Sequence, residues 1–361
     1  HRKLALHPLM HVAGMLRAAI ACGGRGLRLV TMKDIAVRAG VSMITVSRVV
    51  NNSGYVGAET RRRVEAAIEE LHYVPNLVAS NLRSQQSDLL ALLLPDITNS
   101  FWTSIARGVE DEAWTRGYGV FICNTDNNLL KEESYVERIL RRRVEGVLVV
   151  PTPDPASELQ LARLRRQGVK FVVIHRRLLG KEADVVRSDG LEAARRLTEE
   201  LVKTGRRRIA FVGMPLEDPA MQDRLAGFRA ALKAAGVPPD ESLIRVGAIH
   251  TEIGGYGAVK ELLRVATPPD ALLIANSRLA LGGLRAIADA GLRIPEDISV
   301  AAFHDINLMD PWASRLIRAV QPSYRMGQLA TRRLLEIETT EDTGFQEIIL
   351  EPDIHLPNEP F

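Results

Sequence analysis

The sequence predicts a mixed α/β protein, an all-α front end followed by a larger body with parallel sheets. Three observations carry this. Residues 31 to 71 hold three short segments of helical periodicity, after which apolar runs of four to six residues alternate with amphipathic stretches that end in glycine. Strand-helix alternation of that length implies parallel strands buried on both faces. At 361 residues the chain suits a small module plus a two-lobed body, with ligands at the carboxyl ends of the strands.

In the front end, Met32, Ile35, Ala36 and Ala39 form the apolar face of a first helix. Gly40 is placed to end it, because glycine takes up a left-handed cap without steric cost. Ser42 is a good N-cap for a second helix, with Val46, Val49 and Val50 on one arc and Met43, Ile44, Ser47 and Arg48 on the other. A third helix is expected over Thr60–Leu71, with Val64, Ala67, Ile68 and Leu71 inward. Helix, glycine turn and two-sided helix make a helix-turn-helix, whose second helix enters the DNA major groove.

Charge agrees with that division. Residues 1–87 hold 12 Lys/Arg against 5 Asp/Glu, whereas the remainder holds 35 against 39. A basic front end on a mildly acidic body fits a DNA-binding module joined to something that does not bind DNA. Residues 1–30 carry five basic residues and no acid, and are expected to be an unstructured or weakly helical extension. No run approaches the roughly 18 uncharged apolar residues that span a bilayer, so no membrane partner is expected.

In the body, strands are expected at Leu89–Leu94, Val120–Cys123, Gly146–Val150, Phe171–Ile174, Ile209–Val212, Ala271–Ala275 and Val300–Phe303. Helices are expected at Phe101–Arg116, Leu159–Arg166, Leu191–Thr204, Arg224–Ala235 and Leu279–Ala290, each closing near a glycine. Cys22 and Cys123 are far apart without metal-type spacing, and read as reduced thiols. No G-x-G-x-x-G follows a strand and no phosphate-binding loop occurs, so neither an enzyme nor a cofactor is expected.

The segments Thr31-Met32-Lys33-Asp34-Ile35-Ala36, Gly40-Val41-Ser42, Thr45-Val46-Ser47-Arg48-Val49-Val50-Asn51 and Leu71-His72-Tyr73-Val74-Pro75-Asn76 resemble the headpiece of the lactose/galactose repressor family. The likeness continues through Pro95-Asp96-Ile97-Thr98-Asn99-Ser100-Phe101, Asp223-Arg224-Leu225-Ala226-Gly227-Phe228, Pro295-Glu296-Asp297-Ile298-Ser299-Val300 and Gln321-Pro322. It implies a DNA-binding domain at 31–74, a hinge helix and linker at 75–87, and a periplasmic-binding-protein-like body at 88–361. The body's two lobes would be joined by crossovers near 188, 320 and 342, the last within Glu338–Gln346.

The resemblance also implies function. The chain would be a cytoplasmic transcriptional repressor, binding a pseudopalindromic operator in double-stranded DNA as a homodimer. A small-molecule effector, a sugar or sugar derivative, would control it. Arg48 can make paired hydrogen bonds to guanine, while Met43 and Ile44 can touch thymine methyls but cannot hydrogen-bond a base. Thr31, Ser42, Thr45, Ser47, Asn51, Tyr55, Thr60 and Arg61 are candidate phosphate contacts. Leu82, with Arg83 beside it, would wedge into the minor groove from a hinge too short to be helical alone.

In the cleft, Ser100, Phe101, Arg224, Asn276 and Gln321 match effector-contacting positions, and His175 and His304 stand where many relatives carry aspartate. A protonated histidine would offer two donors, so an anionic effector is one expectation, against histidines that merely bond within the protein. Alternatives to the main reading are a solute-binding protein with a vestigial headpiece and a regulator controlled by a partner protein.

Overall fold

The computed structural model describes residues 30–73, 87–142, 144–178, 183–303, 313–337 and 344–357. All but Val30 of the expected extension at 1–30, the hinge with Leu82 and Arg83, and His304 lie outside them. The chain divides into two compact units, one holding the headpiece and one the body.

The headpiece has three helices: α1 (Met32–Ala39), α2 (Met43–Val50) and α3 (Ala58–Glu70). Thr31 and Asp34 cap α1 reciprocally: the Asp34 carboxylate accepts from the Thr31 N–H at 2.8 Å and the Thr31 hydroxyl from the Asp34 N–H at 3.4 Å. Gly40 ends α1 at φ 65°, and the Val41 N–H reaches back to the Ala36 carbonyl at 3.0 Å. The Ser42 hydroxyl then caps α2 by accepting from the Thr45 N–H at 3.2 Å. α3 begins two residues ahead of the expected Thr60, with Gly57 as its N-cap. The helices close on Ile35, Ala36, Ala39, Val46, Val49, Val64, Ala67 and Tyr73.

The body has two six-stranded sheets. The first runs β11-β5-β4-β3-β1-β2 and the second β12-β10-β9-β8-β6-β7. The first lobe contributes β1 (Leu89–Leu94), α4 (Ser100–Thr115), β2 (Gly119–Asn124), α5 (Leu129–Arg142), β3 (Gly146–Val149), α6 (Ser157–Arg166), β4 (Lys170–Ile174) and β5 (Asp184–Ser188). The second contributes α7 (Gly190–Lys203), β6 (Ile209–Val212), α8 (Pro219–Ala234), β7 (Ile244–Arg245), α9 (Glu252–Leu262), β8 (Ala271–Ile274), α10 (Ser277–Asp289), β9 (Ser299–Phe303) and β10 (Ile317–Val320). Then α11 (Ser323–Glu336) and β11 (Glu347–Leu350) return to the first lobe, and β12 (Asp353–His355) joins the second.

All described strand pairs are parallel except β10 with β12. Helices cover both faces of each sheet, which is why β1, β3, β8 and β9 read as unbroken apolar runs. Several helix pairs approach at glycines: a Cβ at Gly227 on α8 would run into the Leu191 carbonyl of α7, and one at Gly282 on α10 into the Glu252 carbonyl of α9.

The chain changes lobes after β5, at Asp189, and after β10, at Gln321–Pro322. The third change corrects the expectation of 338–346. It falls at Glu351–Pro352, because Ile348 and Ile349 are still paired with Val186 and Arg187 in the first sheet. The polar stretch after α11 reads like a linker between lobes but connects two elements of one lobe.

Candidate functional site

On α2 the two arcs separate cleanly. Val46 and Val49 are buried, while Met43 and Ile44 are 55% and 67% exposed and Arg48 is exposed. Large apolar side chains held in water at the open end of a helix are not core, so they remain available for contact. The Arg48 stem passes over Gly54, its Cδ and Nε each 3.5 Å from where a Cβ of that residue would lie.

The candidate phosphate contacts are unequal. Thr31 is engaged with Asp34, its hydroxyl donating at 2.7 Å, and the Ser42 and Thr45 hydroxyls bond each other at 2.9 Å. The Asn51 amide donates to the Ser47 hydroxyl at 3.1 Å. These side chains first fix the helix ends. Tyr55, 90% exposed, projects from the turn after α2, and Thr60 and Arg61 are half-buried in the first turn of α3.

The second site is a cleft between the lobes, lined by residues of both. From the first lobe, Asn99 caps α4 by accepting from the Phe101 N–H at 3.1 Å, which turns Phe101 and Trp102 inward. His175 follows β4 in a left-handed conformation, φ 69°, with its N–H on the Val186 carbonyl at 2.8 Å. Its ring meets Phe101 and Trp102 edge-on, at centroid distances of 5.0 and 5.2 Å.

From the second lobe, Arg224 donates to the Ala275 carbonyl and, at 3.3 Å, to the Gln321 side-chain oxygen. Its guanidinium lies 3.9 Å over the Phe303 ring. Asn276 caps α10, accepting from the Leu279 N–H at 2.9 Å. Five expected cleft residues, Phe101, His175, Arg224, Asn276 and Gln321, thus come together. Ser100 does not: it is the exposed first residue of α4, because the cap turns its neighbours inward and leaves it facing solvent.

Burial, assisted by the Arg224 charge, pushes the His175 imidazole down to about 3. It is therefore neutral near pH 7, which removes the protonated form as a reason to expect an anion. Three buried polar atoms around the cleft have no hydrogen-bond partner among the described residues: Trp102 Nε1, His175 Nδ1 and Asn276 Nδ2. Two of these can only donate. Buried donors left open cost free energy unless a ligand or water accepts from them.

Sequence reading missed Trp102, Arg176, Asp218 and His250, which also line the cleft. Arg176 and Asp218 are a buried ion pair at 3.1 Å, one from each lobe. Arg176 also donates to Asn127 at 2.9 Å and to the Pro151 carbonyl at 2.6 Å. Burial alone would raise the Asp218 carboxyl, but the Arg176 charge and neighbouring groups outweigh it and leave it below its ordinary value. Two further pairs bridge the lobes: Arg177 with Asp223 at 2.7 Å, and Arg278 with Asp96 at 2.8 Å. The signal for Asp218 was present as Asp-Pro ahead of a helix, an N-cap with proline at the first helical position.

Comparison with known proteins adds to this geometry. Residues 31–76 match the family described as bacterial regulatory proteins, lacI family, and residues 87–349 the periplasmic binding proteins and sugar binding domain of the LacI family. The ribose operon repressor of Escherichia coli K12 is 32% identical over 326 residues, covering 90% of this chain and 98% of the relative. A lac repressor dimer bound to operator and an anti-inducer superposes with a TM-score of 0.80 at 27% identity, over 92% of this chain and 99% of that one. The regulator CelR in complex with cellobiose gives 0.67 at 30% identity, over 91% and 99%. These relatives are regulators rather than enzymes. An exposed reading helix in a three-helix headpiece, a two-lobed body with open donors in its cleft, and matches along both parts place this chain in the LacI family of DNA-binding transcriptional repressors.

Proposed function

We propose that this repressor acts as a homodimer in the cytoplasm on a pseudopalindromic operator, under the control of a sugar-class effector held between Trp102, His175, Arg224 and Asn276. The observation that carries the effector reading is the set of three unpartnered polar atoms converging on one cleft, which a hydroxyl-rich ligand would satisfy. The neutral His175 favours an uncharged ligand over an anion. On the DNA side, Arg48 reads a guanine and Met43 and Ile44 pack on thymine methyls, so the half-site contains both. The side chains of Thr45, Ser47, Asn51, Tyr55, Thr60 and Arg61 position the module on phosphates. The hinge reading, with Leu82 wedged in the minor groove beside Arg83, rests on the family likeness alone.

Dimerisation is supported by the body's surface. Ile253 on α9 is 83% exposed, Ile249 just before it 72%, and Leu281 on the tightly apposed α10 is also exposed. Apolar side chains of that size in one region are commonly covered by a partner. The test is selection of binding sites from random duplexes with the full chain, followed by titration of the selected operator with sugars. A two-fold-related site whose affinity changes with a sugar supports the proposal; an asymmetric site or no preference over random DNA refutes it.

A further inference from the structure

The lobes are joined by the chain's own charges. Beside the buried Arg176–Asp218 pair, Arg177 meets Asp223 on α8 at 2.7 Å. Arg278, in the first turn of α10, meets Asp96 in the loop after β1 at 2.8 Å. Its guanidinium also donates to the Thr98 hydroxyl at 2.6 Å, and that hydroxyl donates to Asp96 at 2.6 Å, so the loop is already shaped to receive it. In the first sheet β3 separates β1 from β4, so the anchors at the ends of those two strands stand about 10 Å apart.

The polarity reverses between the two anchors. At the end of β4 the first lobe offers two cations to two carboxylates of the second; after β1 it offers a carboxylate to a cation. Sliding or twisting one lobe would carry Arg177 toward Arg278, or Asp96 toward Asp218, and set like charges together. One closed register therefore satisfies all three pairs. In that register the cleft encloses about 40 Å³. A cavity of roughly 150 Å³ takes up benzene, so a ligand the size of a sugar ring enters only when the lobes part.

We propose that Arg177–Asp223 and Arg278–Asp96 are latches that hold the body shut, and that an effector binds the parted state against them. The effector half of this rests on the cleft being the effector site; the latches themselves do not. A ligand that binds one state has its affinity reduced by the fraction of protein in that state, so each latch weakens binding. The four latch side chains are between 17% and 46% exposed, so salt screens them, whereas the buried Arg176–Asp218 pair is screened far less.

The test is the distance between nitroxide labels on the full-length protein, at Ser134→Cys on α5 of the first lobe and Lys233→Cys on α8 of the second. Both positions are exposed, Cys123 is buried, Cys22 is replaced by serine, and labelled chains are diluted with unlabelled ones. The background is otherwise wild type, Arg177→Met, Arg278→Met or the pair, with thermal unfolding as the check on folding. Wild type in 0.15 M NaCl should give one narrow distance. The double variant, and wild type in 1 M NaCl, should add a second. In calorimetric titrations with ribose and cellobiose, loss of each latch should tighten whichever sugar binds by about twofold to fivefold. One unchanged distance in the double variant and in 1 M NaCl would overturn the latches, as would a broad distribution already present in wild type. Weaker sugar binding by the latch variants would overturn the opposition to the effector. Failure of both sugars to bind any of these proteins would overturn the effector reading and not the latches, which the distances decide alone.

Discussion

Arg176 and Asp218 form an ion pair across the cleft, 3.1 Å apart and each about 95% buried, one at the end of β4 and the other capping α8. A pair so placed contributes little net stability over an apolar substitute, because its desolvation nearly offsets its attraction. Breaking one side is different, since it leaves a charge in a poor solvent. Arg176→Met should therefore destabilise the body by about 3–5 kcal/mol, read by urea unfolding. Arg176→Met with Asp218→Asn should recover much of that loss. Equal losses for the single and double variants would show that packing, not charge, dominates.

The headpiece permits a cleaner separation of roles. Arg48 is exposed on the face of α2 that buries none of the core valines, so its removal should not unfold the three-helix unit. Arg48→Ala should cost about 1–3 kcal/mol of specific operator affinity and little nonspecific affinity, measured by competition with random duplex. Equal losses on both would make Arg48 a phosphate contact.

His175 supplies a pH dependence with a definite sign. Its imidazole falls from 6.5 to about 3 on folding, so the unfolded chain binds this proton more readily. Its contribution is fully present above pH 6.5 and is lost as pH falls toward 3. His175→Asn keeps a residue tolerant of the left-handed backbone and removes the titration. Between those limits the slope of stability against pH should fall by about 1.4 kcal/mol per pH unit. Urea unfolding at pH 4, 5, 6 and 7 checks this; parallel curves for wild type and variant would place His175 in a solvated site.

Much of this molecule was legible because local chemistry and tertiary structure agree. Gly40 and Ser42 mark the turn between α1 and α2 by backbone and capping needs alone, and β1 and β8 are apolar throughout because both faces are covered. The short, charge-bearing strands were not found: Asp184-Val185-Val186-Arg187-Ser188 and Ile317-Arg318-Ala319-Val320 lie where charged side chains can reach partners, which erases the apolar run. Nor could spacing in the chain pair Arg176 with Asp218, 42 positions apart, since that contact exists only once the lobes are opposed. Phe101 matched a known pattern, whereas Trp102 beside it did not, although helix geometry sends both inward.

The crossing of α7 and α8 sets where Arg224 stands. Gly227, one turn along α8, meets the Leu191 carbonyl so closely that any Cβ must push the helices apart. Gly227→Ala should cost about 1–3 kcal/mol of stability, as overpacking does, and should move Arg224 away from Phe303 and Gln321. Effector affinity should then fall more than the loss of folded protein explains. Calorimetry at a temperature where the variant stays folded checks this, with headpiece binding to a single half-site as the internal control. Arg224→Ala, by contrast, should abolish the operator's response to effector while leaving operator affinity without effector near wild type. If the two variants behave alike in stability, the close helix approach carries no strain; if Arg224→Ala still responds, the ligand is held without its guanidinium.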